Sequence, residues 1–287
     1  MPLQQYLQQH YAGSTVEEYT RAVNSYLLNY PNAPSAKYND VVQYIGVLRK
    51  KYYHTATLRK ILSAIKAYYA YLCDEGIRKD NPAKMIRLKD KVNKDIQLQD
   101  LFTTQELEKL LERKEPYKNI GYKNKVMMGL LIYQGLQPQE ICNLTIEDIN
   151  LTAGTIYIKA TTTTNARTLP LKPNQILLFY EYIHTIHPAL CKTNITNRLL
   201  IGLQGNPLNA WDVSMHVRRC FKKCYPDKKI TPRTIRQSII TNLLKQGHDI
   251  SVVQSFAGHK LPGATQRYKQ NSVDTLKTAI QKYHPLQ

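Results

Sequence analysis

Residues 231–268 read "TPRTIRQSIITNLLKQGHDISVVQSFAGHKLPGATQRY" and hold two arginines, a histidine and a tyrosine at regular intervals. Thr231 is a natural N-cap with Pro232 in the first helical position, so a helix opens at "PRTIR". On that helix Arg233 and Arg236 stand i, i+3 and share a face. Gly247 closes the helix, and Gly258-His259 marks a turn nine residues before Tyr268. The chain has 21 tyrosines, so most of them must pack. On its own, Tyr268 is a packing aromatic as readily as a nucleophile, and its surroundings have to decide.

Those surroundings are cationic. The formal charge of the 287-residue chain is +19, and it is unevenly placed. Residues 1–95 hold 15 Lys/Arg against 8 Asp/Glu, residues 96–210 hold 11 against 9, and residues 211–287 hold 14 against 4. Two basic blocks around a near-neutral middle suit a polyanion, and nucleic acid is the expected partner. An anionic membrane fits less well, because no segment pairs a basic face with a strong apolar one. No apolar run approaches the roughly 18 residues that span a bilayer. The opening "MPLQQYLQQHYAG" lacks the order of a secretion signal, which predicts a cytoplasmic protein.

Cys73, Cys142, Cys191, Cys220 and Cys224 are odd in number and scattered, which is no disulfide framework. His216, Cys220 and Cys224 fall four apart on one predicted helix face. Their ends lie about 12 Å apart at 1.5 Å per residue, too far for one zinc ion with bonds of about 2 Å. They are read as structural, and neither metal nor cofactor is expected.

The first third reads as helices. "STVEEYTRAVNSYLLNY" begins with Ser14 and Glu17 in the pattern of a capping box, and Val16, Tyr19, Val23, Tyr26 and Tyr30 follow at helical spacing. "HTATLRKILSAIKAYYAYLCDEG" repeats the stripe through Leu58, Leu62, Ile65, Tyr69 and Leu72, with Gly76 as its C-terminal cap. Arg59, Lys60 and Lys66 lie off that stripe, positioned either to meet phosphates or to form a wet face. After Pro82 the charge-mixed segment loses its period and reads as a linker over 93–101. Thr103 and Glu106 form a second capping box, and "KVMMGLLIYQGLQPQEICNL" reads as a buried helix turning at Gly135. "GTIYIKATTTTNARTLPL" alternates and is β-branched, which predicts two or three short strands with a turn near Thr161–Asn165. The whole is mainly α with a small β-sheet, an α+β architecture.

In this order the segments resemble the tyrosine recombinase (phage integrase) family over nearly the whole chain. Residues 1–92 resemble its helical, SAM-like core-binding domain, and residues 102–287 its catalytic domain. The resemblance implies cutting and rejoining of double-stranded DNA through a 3′-phosphotyrosyl bond, with integration or recombination as the outcome. It implies no metal, because the phosphodiester's energy is kept in the covalent bond. It also implies self-association as a tetramer on DNA, or work beside a partner recombinase. The tail "SVDTLKTAIQKYHPLQ", helical through Val273, Leu276 and Ile280, would dock on a neighbouring subunit or on its own domain.

Mapped residue by residue, Tyr268 matches the nucleophile, Arg236 the second arginine, His259 the later histidine, and Glu140 the acidic support of the first arginine's turn. Three positions depart from the family. Gln137 stands where the first arginine is expected, Arg233 where the first histidine is expected, and Thr162 where the hairpin lysine is expected. Gln237 replaces a further histidine. Removing one phosphate contact costs about 3 kcal/mol, roughly a hundredfold in rate, and losing the general acid about 10²–10⁴-fold more. Two expectations offset this: Arg233 restores the charge that Gln137 removes, and Lys159 or Arg167 supplies the hairpin cation, with Arg167 also expected to contact DNA. Otherwise the chain is a DNA-binding accessory or regulatory protein that kept the fold and lost the chemistry. A topoisomerase-like nicking enzyme is a third reading, set aside because the N-terminal domain resembles an integrase's.

Overall fold

A computed structural model describes residues 1–90, 98–191 and 196–268. The chain divides into two compact units, Met1–Lys94 and Asp95–Gln287. Part of the expected linker and the tail beyond Tyr268 lie outside the described residues.

The first unit is helical, with α1 (Leu3–His10), α2 (Gly13–Asn29), α3 (Tyr38–Lys51) and α4 (Thr55–Asp74). The stripe Leu58, Leu62, Ile65, Tyr69 and Leu72 is buried, as its spacing demands. Tyr26 of α2 and Tyr69 of α4 are fully enclosed. Their hydroxyls lie 2.7 Å apart, and Tyr69 donates to the carbonyl of Ala33 at 2.8 Å. Pairing the polar tips lets two large rings fill an otherwise apolar core. Gly76 ends the run with φ +71, a left-handed cap that a residue with Cβ resists. One expectation is corrected. The N-cap of α2 is Ala12, which makes no side-chain cap bond, so Ser14 lies inside the helix and not at its N-cap position.

The second unit opens with α5 (Thr104–Lys109) and α6 (Lys118–Ile132). Thr103 and Glu106 close their capping box, Thr103 Oγ1 accepting from Glu106 N at 3.2 Å. From Val126 to Ile132, α6 is buried on every side, which is why its sequence lacks an amphipathic period. Next come α7 (Pro138–Asn143) and an antiparallel sheet of β1 (Ile149–Asn150), β2 (Thr155–Ile158) and β3 (Arg167–Pro170), ordered β1-β2-β3. Ile156 and Ile158 face the core while Tyr157 faces solvent, the period-two pattern of a half-buried strand. Then follow α8 (Pro173–Glu181), a π-turn at Tyr182–Ile186, α9 (His187–Leu190), α10 (Ala210–Phe221), α11 (Pro232–Lys245), α12 (Ile250–Ala257) and α13 (Pro262–Gln266). Thr231 caps α11 by accepting from Thr234 N at 3.1 Å. No helix of the described residues is long and apolar enough to cross a membrane.

Candidate active site

Glu140 in the first turn of α7 is the hub of the site. It is fully buried, and a buried carboxylate persists only when paired. Its Oε2 accepts from Gln137 N at 2.8 Å, which closes a capping box over Pro138. Arg167 of β3 adds a bidentate clamp, with Nη1 on Oε1 at 2.7 Å and Nη2 on Oε2 at 3.2 Å. Thr164 Oγ1 donates to Oε1 at 2.9 Å, and Arg236 Nη1 stands 3.8 Å from Oε2. Burial pushes the Glu140 carboxyl up; hydrogen bonds and charge from Arg167, the Gln137 N–H and Arg236 outweigh it and hold the group ionised.

Arg236 of α11 is set by backbone as well as by charge. Its two terminal nitrogens donate to the carbonyls of Gly135 and Ala257, so the guanidinium is fixed in two directions before any ligand arrives. Burial lowers its pKa, Glu140 opposes that fall, and Arg167 adds to it; the group stays cationic at neutral pH. Gly258 caps α12 in the left-handed region at φ +68. A Cβ there would lie 2.6 Å from Arg167 Nη1, so only glycine lets the guanidinium pass. Across the same turn Asn165 N donates to Gly258 O at 2.8 Å, and Thr164 bridges His259. The hairpin tip is thereby tied to the turn that carries the histidine.

A cleft of about 690 Å³ opens beside this hub, lined by Gln137, Arg233, Arg236, His259, Tyr268 and other residues. His259 and Tyr268 stack with ring centroids 6.0 Å apart and planes at 17°. His259 Nδ1 lies 2.8 Å from Thr265 Oγ1, either atom donating according to the tautomer. Burial drives the His259 pKa down to about 4, helped by the charges of Arg236 and Arg167, so the ring is neutral at pH 7. Burial raises the Tyr268 phenol, against lowering by Arg236, Arg233 and Arg267.

The cleft therefore gathers Tyr268, Arg236, His259, Arg233 and Gln137. It does not gather all the expected cations. Lys159 is exposed, with Nζ 3.2 Å from Asp148 Oδ1, and is not among the cleft residues. Arg167 is corrected twice: as a DNA contact and as the hairpin cation. Its side chain is only 6% exposed and its fork is committed to Glu140, so it is framework. Thr162 is exposed at the hairpin tip and does not line the cleft. Sequence reading missed Arg218 of α10 and Lys229, both lining the cleft; the surplus of positive charge over 211–287 was their only trace. In the first unit Lys60 pairs with Glu18 at 2.9 Å. Arg59 Nη2 donates to the carbonyls of Leu88 and Asp90, and Lys66 is half-buried.

The chain matches the Phage integrase family over residues 100–274 and the Phage integrase, N-terminal SAM-like domain over residues 3–76. Tyrosine recombinase XerD of Staphylococcus saprophyticus is 28% identical over 246 residues, which are 85% of this chain and 82% of that protein. Among solved structures, the Tn1549 transposon integrase in complex with transposon right end DNA is similar at TM-score 0.68 and 20% identity, over 99% of each chain. XerH site-specific recombinase bound to palindromic difH substrate is similar at TM-score 0.67 and 22% identity, over 86% of this chain and 73% of that one. At such identities the structural likeness establishes a shared fold.

Proposed function

The chain belongs to the phage integrase family of tyrosine recombinases, enzymes of site-specific DNA recombination, and from that premise we propose that it cuts and rejoins duplex DNA with Tyr268 as nucleophile. The observation that carries this reading is the meeting of Tyr268, His259, Arg236 and Arg233 on one cleft. Tyr268 Oη attacks the backbone phosphorus, the 3′-phosphotyrosyl bond forms, and the bond to the 5′-oxygen breaks. Negative charge grows on the non-bridging oxygens, where guanidinium groups already in place stabilise it without reorganising. Arg236 supplies the buried, fixed charge and Arg233 an exposed one. Neutral His259, stacked on the nucleophile, accepts the phenol proton.

The departing 5′-oxygen needs a proton in return. Among the described residues, Lys229 is the lysine that lines the cleft, and we assign it that role in place of Lys159. Gln137 contributes a hydrogen bond without charge, so Arg218 and Arg233 complete the cationic wall. Exchange between two duplexes breaks four strands and each chain carries one Tyr268. Four copies, or two copies with two of a partner recombinase, are therefore needed on DNA; light scattering of the DNA complex counts them.

A suicide substrate carrying a nick near the cleavage site tests the chemistry. The full chain is expected to form an SDS-stable DNA adduct that Tyr268→Phe abolishes. Lys229→Ala is expected to lower adduct formation by about 10²–10⁴-fold, and a 5′-bridging sulfur, which leaves without a proton, is expected to restore it. Tight binding of a cognate site with no adduct from the native chain favours the accessory-protein reading, which the exposed Thr162 and uncharged Gln137 keep in view. Lys229→Ala defects that sulfur does not rescue remove Lys229 from the chemistry alone.

A further inference from the structure

We propose that Glu115, His216 and Cys220 form a site for one zinc-class divalent ion, on the face of α10 opposite the DNA cleft. The inference does not rest on the cutting chemistry. Helix α10 sends Ser214, Met215 and Arg218 into the cleft. By helical spacing, His216 and Cys220 project on the other side, where Glu115 meets them from the loop between α5 and α6. One ligand atom from each of the three lies within 4.8 Å of the others.

The geometry is near that of a metal centre. His216 Nδ1 and Cys220 Sγ are 3.6 Å apart. Tetrahedral zinc, with bonds of about 2.0 Å to nitrogen and about 2.3 Å to sulfur, sets such atoms about 3.5 Å apart. Drawing in the carboxylate takes a side-chain movement of about 1 Å. Glu115 is already oriented, because its Oε1 accepts from Arg113 Nε at 3.0 Å and Asn124 Nδ2 at 3.1 Å, the outer support that metal-binding carboxylates use. His216 Nε2 is buried without a hydrogen-bond partner. The ion would take Nδ1, the ring nitrogen that already faces Cys220, and leave Nε2 as the N–H of the neutral ring.

Donor chemistry selects the metal. Nitrogen, sulfur and carboxylate oxygen together favour zinc over magnesium or calcium. Cys220 releases its proton on binding. A dication with one thiolate and one carboxylate is then neutral, so the positive charge of Arg113 beside it is not opposed. Three protein ligands leave the fourth position to water. The ion would tie α10, and with it Arg218, to the loop before α6. Sequence reading placed Cys224 beside the other two on the helix and rejected the trio by length; Glu115, about a hundred residues away, carried no signal.

The test uses the full chain stripped of metal and titrated with Co²⁺, then Zn²⁺. One equivalent of Co²⁺ is expected to bind with a near-ultraviolet thiolate-to-cobalt band, and Zn²⁺ is expected to displace it and raise the melting temperature. Cys220→Ser is expected to abolish the band and weaken zinc by about 100-fold or more, and Glu115→Gln to weaken it by about tenfold. Cys224→Ser is expected to change neither. Absence of saturable one-equivalent binding overturns the site, as does a band that survives Cys220→Ser. If Cys220→Ser does not fold, zinc affinity unchanged in Glu115→Gln overturns it instead.

Discussion

The two units use positive charge in opposite ways. In the first, Lys60 and its partner Glu18 keep side-chain exposures of 66% and 52%. In the second, Arg167 and Arg236 are 6% and 7% exposed around a fully buried Glu140. An exposed pair is screened by water and salt and adds about 0–1 kcal/mol. A buried cluster gives up its hydration and stands only if each charge is answered. The first arrangement makes a surface that attracts a polyanion and leaves the side chains mobile. The second makes a frame in which a guanidinium is already aimed before the phosphate arrives, which is what stabilising a charged transition state needs.

The hardest test of that contrast is Arg167→Ala. It leaves the Glu140 carboxylate without its bidentate partner, and breaking a buried pair on one side costs about 3–5 kcal/mol. Urea unfolding measures the loss, and Glu140→Ala is expected to cost a similar amount. The double variant is expected to fall well short of the sum, because the two residues form one interaction. A loss below about 1 kcal/mol, the range of exposed pairs, would place Arg167 with the surface cations and break the comparison.

The buried frame also makes a pH prediction. Burial, Arg236 and Arg167 bring His259 to about 4 from an ordinary 6.5. Its folded value lies below its unfolded one, so the fold favours the neutral ring. The stability this contributes is fully present above about pH 6.5 and disappears as pH falls toward 4. Nuclear magnetic resonance titration of the imidazole is expected to find a midpoint near 4, and adduct formation is expected to keep its His259-dependent part down to about pH 5. A midpoint near 6.5 would mean that the frame exerts no field on the cleft.

The contrast explains what could be read from the sequence. Patterns that depend on near neighbours were legible: the cap at Thr231, the box at Thr103 and Glu106, the alternation of β2, the apolar length of α6. Tyr268, Arg236 and His259, which line one cleft, could be grouped from the sequence because they lie in one contiguous segment. Arg167 was misplaced because a lone arginine on a strand reads the same whether it faces solvent or a carboxylate 27 positions earlier. Lys229 and Arg218 were overlooked because nothing local separates a cleft cation from any other in a basic block. Lys159 was chosen by its nearness in sequence to Thr162, whereas hairpin geometry turned it toward Asp148.

The smallest expected effect falls on the exposed side. Lys60→Ala removes one cation whose partner Glu18 is free to hydrate, so unfolding free energy is expected to move by less than about 0.5 kcal/mol. Its effect is expected on DNA. If Lys60 meets a phosphate, affinity falls by the same factor for cognate and unrelated duplexes, and the slope of log affinity against log salt shrinks by about 1. Fluorescence anisotropy with both duplexes at several salt concentrations reads the two quantities together. A base-reading residue would instead lower cognate affinity alone, and a residue away from DNA would leave the slope unchanged. Only the first outcome keeps Lys60 in the role that its exposure permits, charge that steers without specifying.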